Sequence, residues 1–227
     1  MTRRTTPETH PPSRAGSALP PVLLALYAVV WTLCAINPLY PEDWLVENIL
    51  VFLFVPVLVH HYRRAPASGL AYVTLFVFFC LHSLGSHYTY AQVPYDRWWQ
   101  ALTGETFNAM MGWQRNHYDR LVHFCYGLLT TVIWTELLLR HVQRIDGFWR
   151  WLLPLAFMIS HGAVYELIEW LAAVQFGGEL GDAYLGTQGD IWDAHKDMLL
   201  AALGSAITLA WMHASGRLAL PPAPAPR

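Results

Sequence analysis

The sequence predicts an all-α protein, a polytopic bundle of six transmembrane helices. Of its 227 residues, 55% are hydrophobic and only 13% are charged, about half the charged share of a soluble domain. The apolar residues are also gathered into six long runs, and about 20 residues suffice to cross the hydrocarbon core of a bilayer. The chain is therefore expected to be an integral membrane protein.

The six apolar runs are separated by polar or proline-containing segments. Their predicted bounds are 21–36, 44–62, 70–87, 118–139, 149–174 and 191–212. Pro56 and Pro154 fall inside two of the runs. Membrane helices tolerate proline because neighbouring groups satisfy the carbonyls that it leaves free.

Basic residues indicate how the runs are oriented. One transmembrane domain, residues 21–214, with a long outer loop at 88–117, is expected between disordered cytoplasmic tails at 1–20 and 215–227. With the N-terminus inside, ten of the 14 Lys and Arg residues fall on the cytoplasmic side and four on the outer side. Because cytoplasmic loops carry such an excess, the sequence predicts that both termini are cytoplasmic.

The sequence lacks the residues that several classes of function require. The formal net charge is −2 and no basic block is present, so no nucleic-acid partner is expected. Cys34, Cys80 and Cys125 all lie inside apolar runs without C-x-x-C spacing, which is typical of buried thiols. The chain also contains no GxSxG, HExxH, phosphate-binding loop or dinucleotide fingerprint.

Three acids stand at the start of the last run, in the segment GTQGDIWDAHKDM. Asp190, Asp193 and Asp197 follow i, i+3, i+7 spacing and so share one face of a helix. Carboxylates that enter a membrane helix are costly unless they are paired or bind a ligand. Polar groups from other runs are therefore expected to meet this face.

The depth of each polar side chain in the bilayer follows from its position in its run, at a rise of about 1.5 Å per residue. These depths place polar side chains of several runs in one layer in the outer half of the bilayer. Glu47 of the second run falls in this layer too. Imidazoles and carboxylates together are ligands for Zn, Fe or Mn, so a divalent metal ion is the predicted cofactor. The predicted ligands are His82, His123, Glu169, Asp193 and Asp197.

The other polar residues of the layer are assigned supporting roles. Glu166 is the first candidate for the base that activates a water molecule. Asp119 is the second catalytic candidate and would also help to orient the ligands. The remaining residues expected to orient the ligands are His87, His161, Tyr165, Arg120 and Asp190.

Structural interpretations compete at several of these positions. His82 alone suits a helix-packing histidine whose hydrogen bonds are satisfied. Asp190, with Asp193 three residues later, suits the N-cap of the last helix. A third structural interpretation is a hydrogen-bonded network of Asp119, Arg120, His123 and Glu166.

Four segments resemble one family in the same order. They are HSLGSHYTYAQVPYD, RNHYDRLVHFCYGLL, SHGAVYELIEW and GTQGDIWDAHKDM. Together they resemble the YjdF-like inner-membrane proteins of bacteria, a family of unknown function. The resemblance covers residues 44–212 and implies a multi-pass protein of the bacterial inner membrane. It carries over no catalytic or binding residue.

The expected function is that of a metal-dependent membrane hydrolase acting on a lipid or lipid-linked substrate from the outer leaflet. The expected partners are the lipid bilayer and that substrate. A cation or proton transporter is the first alternative, but it predicts a polar relay that continues to the cytoplasmic side, where mainly Glu136 is found. The second alternative is a non-catalytic scaffold whose acids pair with Arg120 and Lys196.

Overall fold

The computed structural model describes residues 18–142, 145, 147–178, 181 and 185–218, and its regular elements there are all helices. The predicted all-α class is therefore confirmed. Most of the predicted tails at 1–20 and 215–227 lies outside the described residues. In chain order the helices are α1 (Leu19–Cys34), α2 (Pro41–Arg64), α3 (Gly69–His87), α4 (Tyr95–Thr103), α5 (Phe107–Met111), α6 (Tyr118–His141), α7 (Trp149–Phe176) and α8 (Asp193–Ala214).

Five of the helices between residues 18 and 218 are long and apolar enough to cross a membrane, namely α2, α3, α6, α7 and α8. Helix α1 is apolar as well, but it has only 16 residues. Such a helix rises about 24 Å, less than the roughly 30 Å of a hydrocarbon core. The five long helices confirm the prediction of a multi-pass helical membrane protein.

Local sequence signals account for several helix ends. Helices α1 and α2 each carry proline in the first turn, where a missing N–H is harmless. Helix α3 is capped by Ser68, whose hydroxyl accepts a hydrogen bond from the Ala71 N–H at 3.2 Å. Helices α4 and α5 end at Gly104 and Gly112, which adopt φ values of 89° and 67° that glycine reaches without strain.

Helices α6 and α8 make the closest contact of the bundle. Gly127 of α6 faces the Ala201 carbonyl of α8, and Gly204 of α8 faces the Phe124 carbonyl of α6. A Cβ atom on either glycine would overlap the facing backbone. Small residues at a helix interface let the two backbones approach closely, as is common in membranes.

Helix α6 is central, because it also contacts α3 and α7, while α1 packs on the far side of α3. The outward faces of α2 and α7 expose large apolar side chains, including Phe52, Leu53, Leu167 and Leu171. Exposed apolar surface of this kind is expected where lipid covers the protein.

The long loop predicted at 88–117 contains α4 and α5 and is held together by its own hydrogen bonds. The Tyr95 hydroxyl donates to Asn108 Oδ1 at 2.7 Å, and the Asn108 N–H donates to Asp96 Oδ1 at 2.9 Å. The rings of Phe107 and Trp113 meet at 5.6 Å between centroids. Because α4 and α5 are short and not wholly apolar, the sequence contains no apolar run that would reveal them.

Gly127→Ala tests the close contact of α6 and α8. The added methyl group overlaps the Ala201 carbonyl, so the midpoint of thermal unfolding in detergent should fall, by the equivalent of about 1–3 kcal/mol. Gly162→Ala on α7 is the matched control, because a Cβ there meets no atom within 4 Å. Equal unfolding midpoints for the two variants would contradict the packing described.

Candidate metal centre

The candidate metal centre consists of Asp119 and His123 on α6 and Asp197 on α8. One ligand atom from each residue lies within 4.8 Å of the other two. Asp119 and His123 share a face of α6 through their i, i+4 spacing, and the close approach of α8 brings Asp197 to that face. Among the residues that the structure describes, this is the one group of three or more His, Cys, Asp or Glu side chains that converges in this way.

The imidazole of His123 is held between two carboxylates. Its Nε2 atom lies 3.4 Å from Asp119 Oδ1, and its Nδ1 atom lies 3.7 Å from Glu166 Oε1 on α7. All three side chains are largely buried, with 10–13% of their surface exposed. The ring therefore lies between two carboxylates, one beside each of its nitrogens.

Two carboxylate oxygens of this group are buried without a hydrogen bond. Asp197 Oδ1 and Glu166 Oε1 have no such partner within the described part of the chain. Asp197 is only 2% exposed. A buried carboxylate in this situation either takes up a proton or binds a cation, because an unpaired charge in low dielectric is strongly disfavoured.

Further acids extend the group towards α2. Glu47 is 4% exposed, and its Oε2 atom accepts a hydrogen bond from the Tyr165 hydroxyl of α7 at 3.2 Å. It also interacts electrostatically with Asp119 and His123. Glu169, a predicted ligand, interacts electrostatically with Asp119 and Glu47 but stands outside the converging group. The centre is thus surrounded by more acids than its single imidazole can neutralise.

The other two aspartates of the predicted acidic face are paired with cations. Asp193 receives hydrogen bonds from Arg115, and Asp190 receives them from Arg120 and, at 2.5 Å, from the Lys196 ammonium. We call these five residues the outer ion-pair cluster. The hydrogen bond from Lys196 keeps the pKa of Asp190 below the ordinary range of an aspartate.

The ion pairs change the role expected of three predicted site residues. Asp193 was predicted to bind metal, but its carboxylate faces Arg115 and it does not belong to the converging group. Asp190 is not the N-cap of α8, because Trp192 holds that position and its N–H donates to Asp190 Oδ1 at 3.1 Å. Arg120 contacts both aspartates, with its Nη2 atom 3.3 Å from Asp193 Oδ1.

Arg115 has no role in the site predicted from the sequence, although this residue completes the outer ion-pair cluster. It lies in the outer loop, three residues before α6 begins at Tyr118. The sequence contains a weak indication of this ion pairing. Arg115 and Arg120 lie at the start of the apolar run 118–139, and acids stand at the start of the last run. Only the folded arrangement shows which acid each arginine contacts.

The remaining predicted histidines have partners of their own. His82 Nδ1 lies 2.5 Å from the Tyr90 hydroxyl, and His161 Nδ1 is hydrogen-bonded to the Tyr126 hydroxyl. His87 Nδ1 lies 2.9 Å from a carbonyl oxygen of α1. The Tyr90 contact suits the helix-packing interpretation of His82 at Nδ1, whereas His82 Nε2 is buried without a hydrogen-bond partner in the described part of the chain. The tyrosine partners were not foreseen, since nothing in the sequence pairs them with histidines.

An apolar cavity of about 100 Å³ adjoins the centre. Aliphatic and aromatic side chains of α2, α3 and α6 form most of its wall. The polar residues that line it are His82, Tyr90, His123, Tyr126, Thr130, His161 and Tyr165. His123 therefore has carboxylates beside its ring nitrogens and an apolar space next to its ring.

The chain is similar to known membrane proteins over most of its length. A family model described as "Predicted membrane protein (DUF2238)" matches residues 19–217. Inner membrane protein YjdF of Escherichia coli K12 is 34% identical over 202 residues, which cover 86% of this chain and 90% of that protein. No solved structure matches the chain. These findings confirm the family resemblance and the location in the bacterial inner membrane.

Arg115→Met tests the ion pair of the outer cluster. Asp193 is 4% exposed, and loss of Arg115 leaves Arg120, at 3.3 Å, as the remaining cation beside this buried carboxylate. The loss of stability should therefore be smaller than the roughly 3–5 kcal/mol that a wholly unpaired buried charge costs. The midpoint of thermal unfolding should fall clearly, and the double variant Arg115→Met, Asp193→Asn should recover part of the loss. Arg97→Met, at an exposed position of α4, is the control. A double variant no more stable than Arg115→Met would argue against the pairing.

Proposed function

The chain belongs to the DUF2238 family of inner-membrane proteins, and we propose that it is a metal-dependent hydrolase acting on a lipid-like substrate within the membrane. One observation carries the proposal. Asp119, His123 and Asp197 offer three ligand atoms within 4.8 Å of one another in a buried, acid-rich layer. Three protein ligands with a remaining open position are typical of catalytic metal sites.

The ligand set favours Zn, Fe or Mn, since it combines one imidazole with two carboxylates. His123 Nε2 faces Asp119 and is therefore the nitrogen that would bind the ion. Glu166 lies beside Nδ1, on the other side of the ring. A carboxylate in this position typically orients a metal-binding histidine, so the geometry favours an orienting role for Glu166 over that of a base.

In this arrangement the Asp119 carboxylate is both a metal ligand and the base best placed to accept a proton. An ion held between the three residues would supply Lewis acidity. In the proposed reaction a water oxygen bonds to the carbonyl carbon or phosphorus of an ester, and the ester oxygen leaves as an alcohol. One proton of the water passes to the free oxygen of the Asp119 carboxylate and from there to the leaving oxygen.

The adjoining cavity supports a lipid-like substrate. It is mostly apolar and reaches His123, so an acyl or prenyl chain could lie beside the reactive group. Binding pockets commonly combine an apolar wall with a few polar groups that fix orientation. The tyrosines and histidines of the cavity wall supply such groups.

We also propose six spans with both termini in the cytoplasm, α1 being the first span. The placement of ten of the 14 basic residues supports this orientation. Helix α1 is fastened to the other spans, since the Trp31 indole donates to Asn48 Oδ1 at 2.6 Å and the Tyr27 hydroxyl lies 3.2 Å from Ser83 Oγ. Short spans are accommodated by local thinning of the bilayer.

Two other functions have less support. A proton relay would need a continuous chain of exchangeable groups on the way to the other end of α6 and α8. Thr135 Oγ1 there is buried without a hydrogen-bond partner among the described residues, and four other hydroxyls each donate to a helix carbonyl. They belong to Thr130, Thr131, Ser205 and Thr208. A purely structural role would leave the buried oxygens of Asp197 and Glu166 without an explanation.

Elemental analysis combined with a lipid assay tests the proposal. Protein purified from metal-supplemented cells should hold about one Zn, Fe or Mn per chain, and His123→Ala and Asp197→Asn should lose it. Glu166→Gln should weaken metal binding by about 10–100-fold. In vesicles of inner-membrane lipids, the wild type should release hydrolysis products that mass spectrometry detects. Asp119→Asn changes a ligand as well as the proton acceptor, so it should weaken metal binding and lower that rate by about 100-fold or more.

His195→Ala is the matched control, since His195 is an exposed histidine of α8 outside the converging group. It should retain both metal and activity. Metal absent from the wild type, or lost equally from His195→Ala, would contradict the metal centre. Bound metal without any hydrolysis product would contradict the assignment as a hydrolase.

A further inference from the structure

A larger cavity lies on the side of α6 opposite the metal centre. It has a volume of about 740 Å³ and is formed between α4, α5 and the N-terminal turns of α6 and α8. Leu121 and Phe124 of α6 line it, whereas Asp119 and His123 occupy the other face of the same helix. We call this cavity the interfacial groove.

The walls of the interfacial groove are aromatic and aliphatic. Trp99, Phe107 and Trp113 line it from the outer loop, and Leu199 lines it from α8. Leu199 is 67% exposed and Leu121 is 48% exposed, so the groove is continuous with the lipid-facing surface. A ligand with an apolar chain could therefore enter it directly from the bilayer.

Cationic groups stand at the polar edge of the groove. Arg120 and Lys196 line it, and the side chain of Lys196 is 45% exposed. Arg120 Nε is buried and has no hydrogen-bond partner in the described ranges. His117 also lines the groove.

The outer ion-pair cluster beside the groove has an excess of positive charge. It combines three cations with two aspartates, so one positive charge is left without a counter-charge within the cluster. Basic residues at the membrane surface attract anionic lipids, each by about fivefold in affinity. The same edge adjoins apolar walls, which a small soluble anion would not use.

We propose that the interfacial groove binds an anionic phospholipid. The phosphate group lies at Lys196 and Arg120, and one acyl chain follows the apolar wall past Leu121 and Leu199. The site is separate from the metal centre and does not depend on the proposed hydrolase activity.

Lipid titrations of the full-length protein in a neutral detergent, followed by native mass spectrometry, test this proposal. Phosphatidylglycerol and phosphatidylcholine with identical acyl chains are the probes, and sn-glycerol 3-phosphate is the soluble comparison. Phosphatidylglycerol should bind about fivefold more tightly than phosphatidylcholine, and soluble glycerol phosphate should not displace it. Lys196→Gln should abolish this preference, and Lys196→Arg should keep it.

Arg97→Gln is the matched control, because it removes an exposed cation from α4 at a residue that does not line the groove. It should leave the preference unchanged. Leu199→Trp fills the apolar wall at an exposed position and should weaken both lipids together, whether or not the Lys196 variants fold. Equal affinity for the two lipids, displacement by glycerol phosphate, or unchanged binding in Leu199→Trp would overturn the proposal.

Discussion

Helices α6 and α8 approach each other so closely that the backbone of one lies against the backbone of the other. Gly127 and Gly204 let the two backbones meet, and a side chain in place of either glycine would force the helices apart. Because the helices approach so closely, Asp197 stands directly opposite His123 in the interior of the bundle. The same contact aligns the first turns of both helices, where the outer ion-pair cluster forms.

Charge is distributed unevenly across this helix pair, and the distribution suggests what each side does. Arg115 and Arg120 neutralise the two aspartates nearest the helix ends. Deeper in the bundle, Asp197 and Glu166 keep buried oxygens without hydrogen bonds and share one imidazole. A membrane interior does not tolerate such an excess of acids unless protons or a cation offset it. The deeper group is therefore the candidate for metal binding, and the outer cluster stabilises the fold.

The sequence alone predicts the all-α, multi-pass class of the fold. Long apolar runs indicate the spans, and helical spacing combined with depth places His123 and Asp197 in one layer, where the structure brings their ligand atoms within 4.8 Å of each other. Pairing partners could not be predicted, because the contacts of Arg115, Tyr90 and Tyr126 depend on how distant elements rotate and approach. The spacing of Asp119 and His123 already placed them on one face, yet only the position of α8 favours Asp119 as a ligand.

Anomalous diffraction from crystals of the metal-loaded protein, recorded at the absorption edge of Zn or Mn, would locate a bound ion. An ion held at the candidate metal centre should give one strong peak about 2.0–2.2 Å from His123 Nε2 and from one carboxylate oxygen each of Asp119 and Asp197. A map without a peak at that position, with the His123 ring hydrogen-bonded directly to Asp119 and Glu166, would contradict the proposed metal centre.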